Sequence, residues 1–426
     1  MSQIKANDEK GSYRWVILII ATFSQTCATF VNYGVGPLAT FCQEIYSLSQ
    51  FQTGLIVSAV NIGPIFSMLI FGNIMDKYGE RWVVGIGSIL LGLTMLITLP
   101  INEYVYLLIV LAFVGVWYGT AQPGGSSAII NWFPKNKNRG LAMGIRQTGI
   151  PLGGALASTT LPFFFYNYGL SSAKLTQAIV AIAGGIIFSI FYKDHGMTAQ
   201  RQQNDRFLEK INKIKAKSSL YPVFFIGMSM ISLQLIILAH LMSYLSNTLH
   251  ISLSISGTLL SVVLIGGAIG RILLAWISDN LFNGDRSKPL QLTILLTVSI
   301  LIVLVYFLNY LPLWGIYIIC FILGFLGVGW YSLFIVLMSE KADKEFIGLT
   351  VSFGLTLNQI FIVLAPSLFG LSVDYFNGYK LPFFLLILFI SIGGIWLNLS
   401  ERNNKCKTQK ETEKVPLNRK KRHRMT

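Results

Sequence analysis

Two arginines stand in apolar surroundings: Arg146 in the run Gly140-Leu-Ala-Met-Gly-Ile-Arg146-Gln-Thr-Gly-Ile-Pro151, and Arg271 in Gly266-Gly-Ala-Ile-Gly270-Arg271-Ile-Leu-Leu-Ala275. A guanidinium stays charged and carries a planar fork of donors that matches a carboxylate or phosphate, so the chemistry such residues suit is capture of an anion. Uncharged polar residues occur in similar apolar runs: Asn32, Tyr33, Gln122, Gln147, His240, Tyr331, Asn358 and Gln359. They could orient a small polar ligand by hydrogen bonds, or join neighbouring helices. His240 could carry a proton near neutral pH, or be a hydrogen-bonded packing residue. Asp and Glu stay out of the apolar interiors, with Glu44, Glu103 and Asp374 near their ends, so a site built here is net positive. The four histidines and four cysteines show no metal-ligand spacing, and there is no nucleophile elbow, zincin or phosphate-loop run. Neither an enzyme nor a cofactor or metal is expected.

Those residues must be positioned by elements that cross a membrane. Of the 426 residues 53% are hydrophobic and 12% charged, about half the charge of a soluble domain. The apolar residues fall into blocks of about 20, the length a helix needs to span a bilayer, which we place at 14–34, 52–75, 82–100, 104–130, 140–166, 173–192, 221–246, 254–278, 289–309, 313–338, 347–373 and 381–399. This predicts an all-α, polytopic membrane protein of twelve spans and excludes a β-barrel, which needs short alternating segments. Arg271 lies about 12 Å along span 8 from Asp279, and Arg146 about 10 Å along span 5 from Arg139. A charge at such depth is costly, about 2.5–3.5 kcal/mol on insertion scales. Either the arginines line a site or gate, or their long side chains snorkel to the interface; the sequence leaves both open.

The net charge of +15 is mostly an orientation signal. Of the 33 Lys and Arg, 29 fall in alternate segments on one side, against Lys174 and Lys380 on the other, so both termini are expected in the cytoplasm of a cell-membrane protein. The partner this basicity implies is the lipid bilayer, not nucleic acid. The expected organisation is a cytoplasmic N-terminus (1–13), a six-helix bundle (14–192), a central loop (193–220), a second six-helix bundle (221–399) and a basic tail (400–426), read as solvated chain or as a binder of anionic lipid. Shifted by 203 residues, Gly54, Ser58, Val60, Ile62, Gly63 and Asp76 coincide with Gly257, Ser261, Val263, Ile265, Gly266 and Asp279. Two homologous halves of six spans each follow, related by an axis along the membrane normal.

The six-plus-six plan resembles the major facilitator superfamily, and Gly72-Asn-Ile-Met-Asp76-Lys77-Tyr78-Gly79-Glu80-Arg81 resembles its signature after span 2. The resemblance implies alternating access of a small-molecule substrate, with Gly72, Asp76, Gly79 and Arg81 as gating residues, Asp279 as their second-half counterpart, and spans 5 and 8 facing one another across a central cavity. Glu80 departs from the basic residue often found there. Gly270-Arg271 with Ser278-Asp279 is similar to span 8 of oxalate/formate and monocarboxylate branches, although span 11 has Asn358 and Gln359 where an oxalate exchanger has Lys. The expected activity is therefore secondary transport of a monocarboxylate-like organic anion by a monomer, coupled to H+; the alternatives are a drug exporter or a transporter-like sensor. Pro151, among Gly144, Gly149, Gly153 and Gly154, is read as a hinge, with a static kink the other reading. Span 4 carries a similar break at Gln122-Pro123-Gly124-Gly125.

Overall fold

The structure is a computed structural model that describes residues 2–101, 103–133, 139–193, 207–343 and 347–422. Among the described residues there are fifteen α-helices and no strand: α1 (Ser2–Tyr46), α2 (Gln50–Tyr78), α3 (Glu80–Ile97), α4 (Tyr104–Tyr118), α5 (Ala121–Trp132), α6 (Arg139–Tyr168), α7 (Leu170–Phe191), α8 (Phe207–Ala216), α9 (Tyr221–Leu249), α10 (Leu253–Leu281), α11 (Ser287–Tyr306), α12 (Leu313–Gly327), α13 (Tyr331–Lys341), α14 (Ile347–Tyr375) and α15 (Lys380–Arg422). Eleven stretches are long and apolar enough to cross a membrane. The twelfth span is α6, whose 30 residues reach about 45 Å; Arg146, Gln147 and its Thr, Gly and Pro residues lower its hydropathy without interrupting the helix.

Two spans are built from two helices each. The break in span 4 falls at Gly119–Thr120, just before the expected tetrapeptide, so Pro123 sits in the first turn of α5, where its missing N–H costs little. Span 10 breaks at Val328–Trp330, a counterpart not expected from the sequence. Pro151 lies within an unbroken α6. α1 begins before the first expected span and α15 continues past the last one to Arg422, so the tail read as solvated chain extends the final span as a helix. Within the central loop, residues 207–216 form α8.

The halves form two six-helix bundles, and the repeat accounts for how their helices pack. A Cβ at Gly115 in α4 would meet the Val60 carbonyl of α2, and one at Gly324 in α12 would meet the Val263 carbonyl of α10. Val60 and Val263 are repeat partners, so the same small-residue approach closes each bundle. Gly54 and Gly257 instead make equivalent contacts between bundles, against Pro366 of α14 and against Ser158 and Pro162 of α6. The seam is thus formed by α2 with α14, α6 with α10 and α1 with α9.

One end of the seam, distal to both chain termini, is closed. Ser58 bonds Val363 and Ser367, Ser243 donates to Gln43 at 2.7 Å, and His240 bridges Gln50 at 3.2 Å and the Pro366 carbonyl at 2.8 Å. Toward the terminal end, a Cβ added at Gly72 of α2 or at Gly144 of α6 would meet nothing within 4 Å. Gly72, a gating candidate, therefore has no neighbouring helix packed against it in this conformation.

Candidate functional site

The two arginines, equivalent in depth, differ in surroundings. Arg146 is fully buried inside the first bundle. Its Nη1 donates to Ser126 Oγ at 2.8 Å; its Nη2 donates to Gln25 Oε1 at 2.7 Å, to the Gln122 carbonyl at 2.8 Å and to the Ala121 carbonyl at 3.1 Å. The helix break brings these carbonyls to it, and Gly125 makes room: a Cβ there would lie 2.5 Å from Nε. Dipoles rather than a counter-ion surround this charge, and α1, α5 and α6 are stapled together by it.

Arg271 sits on the seam. It is 7% exposed, and its Nη1 donates to the Gln147 carbonyl of α6 at 3.2 Å, across the bundles. Its guanidinium lies 5.1 Å over the Tyr331 ring, a cation–π arrangement, while its Nε is buried without a partner. Among the described residues no carboxylate lies within ion-pair distance of either arginine. Opposite stands Tyr33, whose phenol oxygen accepts from Gln234 Nε2 at 2.9 Å, leaving its own proton to donate. Gln147 Oε1 and Gln234 Oε1 are buried and unpartnered. A cation, two phenols and the Gln234 amide thus converge from α1, α9, α10 and α13, with the α6 backbone at Gln147 beside them.

The remaining predicted residues are dispersed. Asn32 donates to Asn61 at 3.5 Å and Gln359 donates to the Asn61 carbonyl at 3.1 Å, a polar chain across the α2–α14 seam. Asn358 points the other way, 2% exposed, with neither amide atom partnered, into space left by Gly227. Gln122 serves through its carbonyl, on Arg146 and Ser126. His240 lies at the distal closure, away from Arg271.

Of the gating candidates, Gly79 forms the α2–α3 turn at φ 81°, a conformation that favours glycine. Arg81 donates to the Ser189 carbonyl at 2.6 Å and stacks on Trp82. The side chain of Asp76 lies outside the described residues. Asp279 pairs with Arg286 at 2.5 Å, and Arg286 lies 3.6 Å from Glu340 of α13. Pro151 stands between Gly149 and Gly153, which pack on the α1 backbone at Thr22 and Thr26. Glu80 is buried and accepts from Asn131 at 2.7 Å and Tyr192 at 3.3 Å, which accounts for an acid where a base is usual. Gln25, Ser126 and Gly125 are neighbours of Arg146 that sequence reasoning missed. A signal for the first existed: Gln25, Thr29 and Asn32 recur at helical spacing on one face of α1.

Residues 21–366 match the model of the Major Facilitator Superfamily. The chain belongs to this superfamily. Over 280 residues it is 24% identical to an uncharacterized MFS-type transporter of Mycobacterium tuberculosis, covering 66% of this chain and 61% of that one. It is 26% identical over 286 residues to a probable sulfoacetate transporter of Cupriavidus necator, covering 63% and 66% respectively. The chain thus spans less than two thirds of the length of these curated relatives. A bacterial homologue of the human lysosomal transporter Spinster, in an inward-facing and unoccupied conformation, superposes with a TM-score of 0.75 over 92% of this chain and 97% of that one, at 13% identity, a likeness of fold. The protein is a multi-pass membrane protein of a transporter family, not an enzyme.

Proposed function

We propose that this superfamily member is a secondary active transporter of a small organic anion of monocarboxylate type, working by alternating access of the seam between its bundles. The observation that carries the reading is Arg271: a nearly buried guanidinium at the interface of both bundles, with a single carbonyl partner and an idle Nε. A buried cation without a counter-ion is costly, and an incoming carboxylate supplies the missing charge and acceptors. Tyr33 and Tyr331 offer further hydroxyl donors, and the similarity to a probable sulfoacetate transporter points to the same sign of substrate. Arg146, whose Nη1 and Nη2 are held by four acceptors within the first bundle and whose Nε alone is unpartnered, shapes that bundle instead. With one such cation among the described residues of the seam, a substrate of one negative charge is favoured over a dicarboxylate.

The proton is proposed to travel with the anion, because no carboxylate of the described spans stands beside Arg271. On the charge asymmetry, the terminal end faces the cytoplasm of a cell-membrane protein that acts as a monomer. The test is uptake of mono- and dicarboxylates into proteoliposomes by wild type and Arg271→Ala. The expected result is monocarboxylate uptake that responds to a pH gradient and is lost in the variant while the protein still elutes as a folded species. Undiminished uptake by Arg271→Ala overturns the substrate role; indifference to the pH gradient overturns the coupling.

A further inference from the structure

The N-terminus of α2 presents a closed account of its backbone donors. A helix start leaves up to four N–H groups without intrahelical acceptors. Here Ser49 and Gln52 form a capping box: Gln52 N–H donates to Ser49 Oγ at 3.2 Å, and Ser49 N–H donates to Gln52 Oε1 at 2.9 Å. That leaves Gln50 and Phe51. Both are taken by one side chain from the other bundle: Asp374, near the end of α14, accepts from Gln50 N–H through Oδ1 at 2.9 Å and from Phe51 N–H through Oδ2 at 2.7 Å. The cap of α2 is therefore assembled half from its own stretch of sequence and half from a residue 324 positions away.

We propose that Asp374 is a gating residue: its carboxylate holds the distal end of the seam shut by completing the cap of α2, and the seam opens distally only when that cap is broken. Three features support this. The carboxylate meets the positive end of the α2 dipole, where an anion is stabilised. The surrounding contacts leave no slack, since a Cβ at Gly370 would collide with the Gln50 carbonyl and one at Gly54 with the Pro366 carbonyl. Finally, the Gln50 side chain is itself engaged by His240, so the same first turn of α2 is gripped by α9 and α14 together. Separation of the bundles at this end frees two N–H groups and one carboxylate at once, which ties the cap to the rocking of the halves rather than to the stability of either.

The test reads the open fraction directly. Cys27, Cys42 and Cys320 are buried and Cys406 lies in the last helix, so all four are replaced by alanine and Thr40→Cys is introduced. Thr40 is 3% exposed on the α1 side of the closed seam, beside Ser243. Its rate of modification by a membrane-impermeant thiol reagent then scales with the population open at the distal end. Hydrogen bonds to a charged group are each worth enough that Asp374→Asn is expected to raise the rate about tenfold. A second pair isolates the backbone donor. Ser49 has φ −67° and ψ 163°, the conformation a residue before proline prefers, so proline fits at position 50. Gln50→Ala removes the side-chain interactions, the bond to His240 among them; Gln50→Pro removes these and also the N–H that donates to Asp374. The Gln50→Pro rate is expected to exceed that of Gln50→Ala about tenfold. The proposal is overturned if Asp374→Asn labels within twofold of the parent, or if Gln50→Pro and Gln50→Ala label alike. Should Asp374→Asn fail to fold, the proline–alanine comparison decides alone.

Discussion

Gly125→Ala tests whether Arg146 is a structural cation. The added Cβ would lie 2.5 Å from Arg146 Nε, 2.8 Å from Nη2 and 2.9 Å from Cζ. Ordinary carbon contacts need about 3.5 Å or more, so the guanidinium must retreat by about 1 Å. It has no slack: Nη2 is bonded at 2.7, 2.8 and 3.1 Å to Gln25, Gln122 and Ala121, and a retreat of that size takes these bonds past useful hydrogen-bond length. Loss of charge-assisted bonds in a buried site is expected to destabilise the protein by about 2–4 kcal/mol. The assay is unfolding in mixed micelles of rising SDS fraction, with Gly144→Ala in α6, which meets nothing within 4 Å, as the reference for a helical glycine-to-alanine change without a clash. A repeat in an Arg146→Ala background completes a double-mutant cycle, in which the cost of Gly125→Ala should vanish. The reasoning is refuted if Gly125→Ala costs no more than Gly144→Ala, or if its cost persists without the arginine. Anion affinity of the folded Gly125→Ala protein should match wild type, because Arg271 is untouched.

Two further outcomes follow from the packing. Lys174 donates to the Thr98 carbonyl at 2.8 Å and the Ile101 carbonyl at 3.4 Å, capping the end of α3, so Lys174→Met should cost about 1–3 kcal/mol in the same SDS titration; a neutral result would show that the cap contributes nothing. Gly72→Val should leave that unfolding curve within about 0.5 kcal/mol of wild type, since nothing lies near it in this conformation, yet slow transport where the terminal ends must approach; unchanged flux would mean that Gly72 is not at a closing surface.

The spans were legible because membrane crossing writes its length and apolarity into consecutive residues. The pairing of halves was legible because Gly54, Val60 and Gly63 recur in register as Gly257, Val263 and Gly266, and these are the positions where helices touch. What could not be read was which charge is satisfied. Arg146 and Arg271 lie at similar depth on the sequence, but Arg146 is answered by Gln25, 121 residues away, and by carbonyls that a break in span 4 turns toward it. Lys174 read as a loop charge because its acceptors lie 76 and 73 residues back. Asp374 read as an end residue for the same reason: its partners are backbone N–H groups, which no side-chain pattern reveals.

Burial of Lys174 also has a chemical side. At 2% exposure, with its amine held by two carbonyls, it is shielded from reagents in water, whereas Lys380, the other lysine of the distal side, is exposed. The remaining lysines among the described residues belong to segments at the terminal end. The two faces of this protein therefore differ in nucleophilic amines by one against many, and an impermeant acylating reagent applied to sealed vesicles would distinguish the orientation of every inserted molecule without any engineered tag.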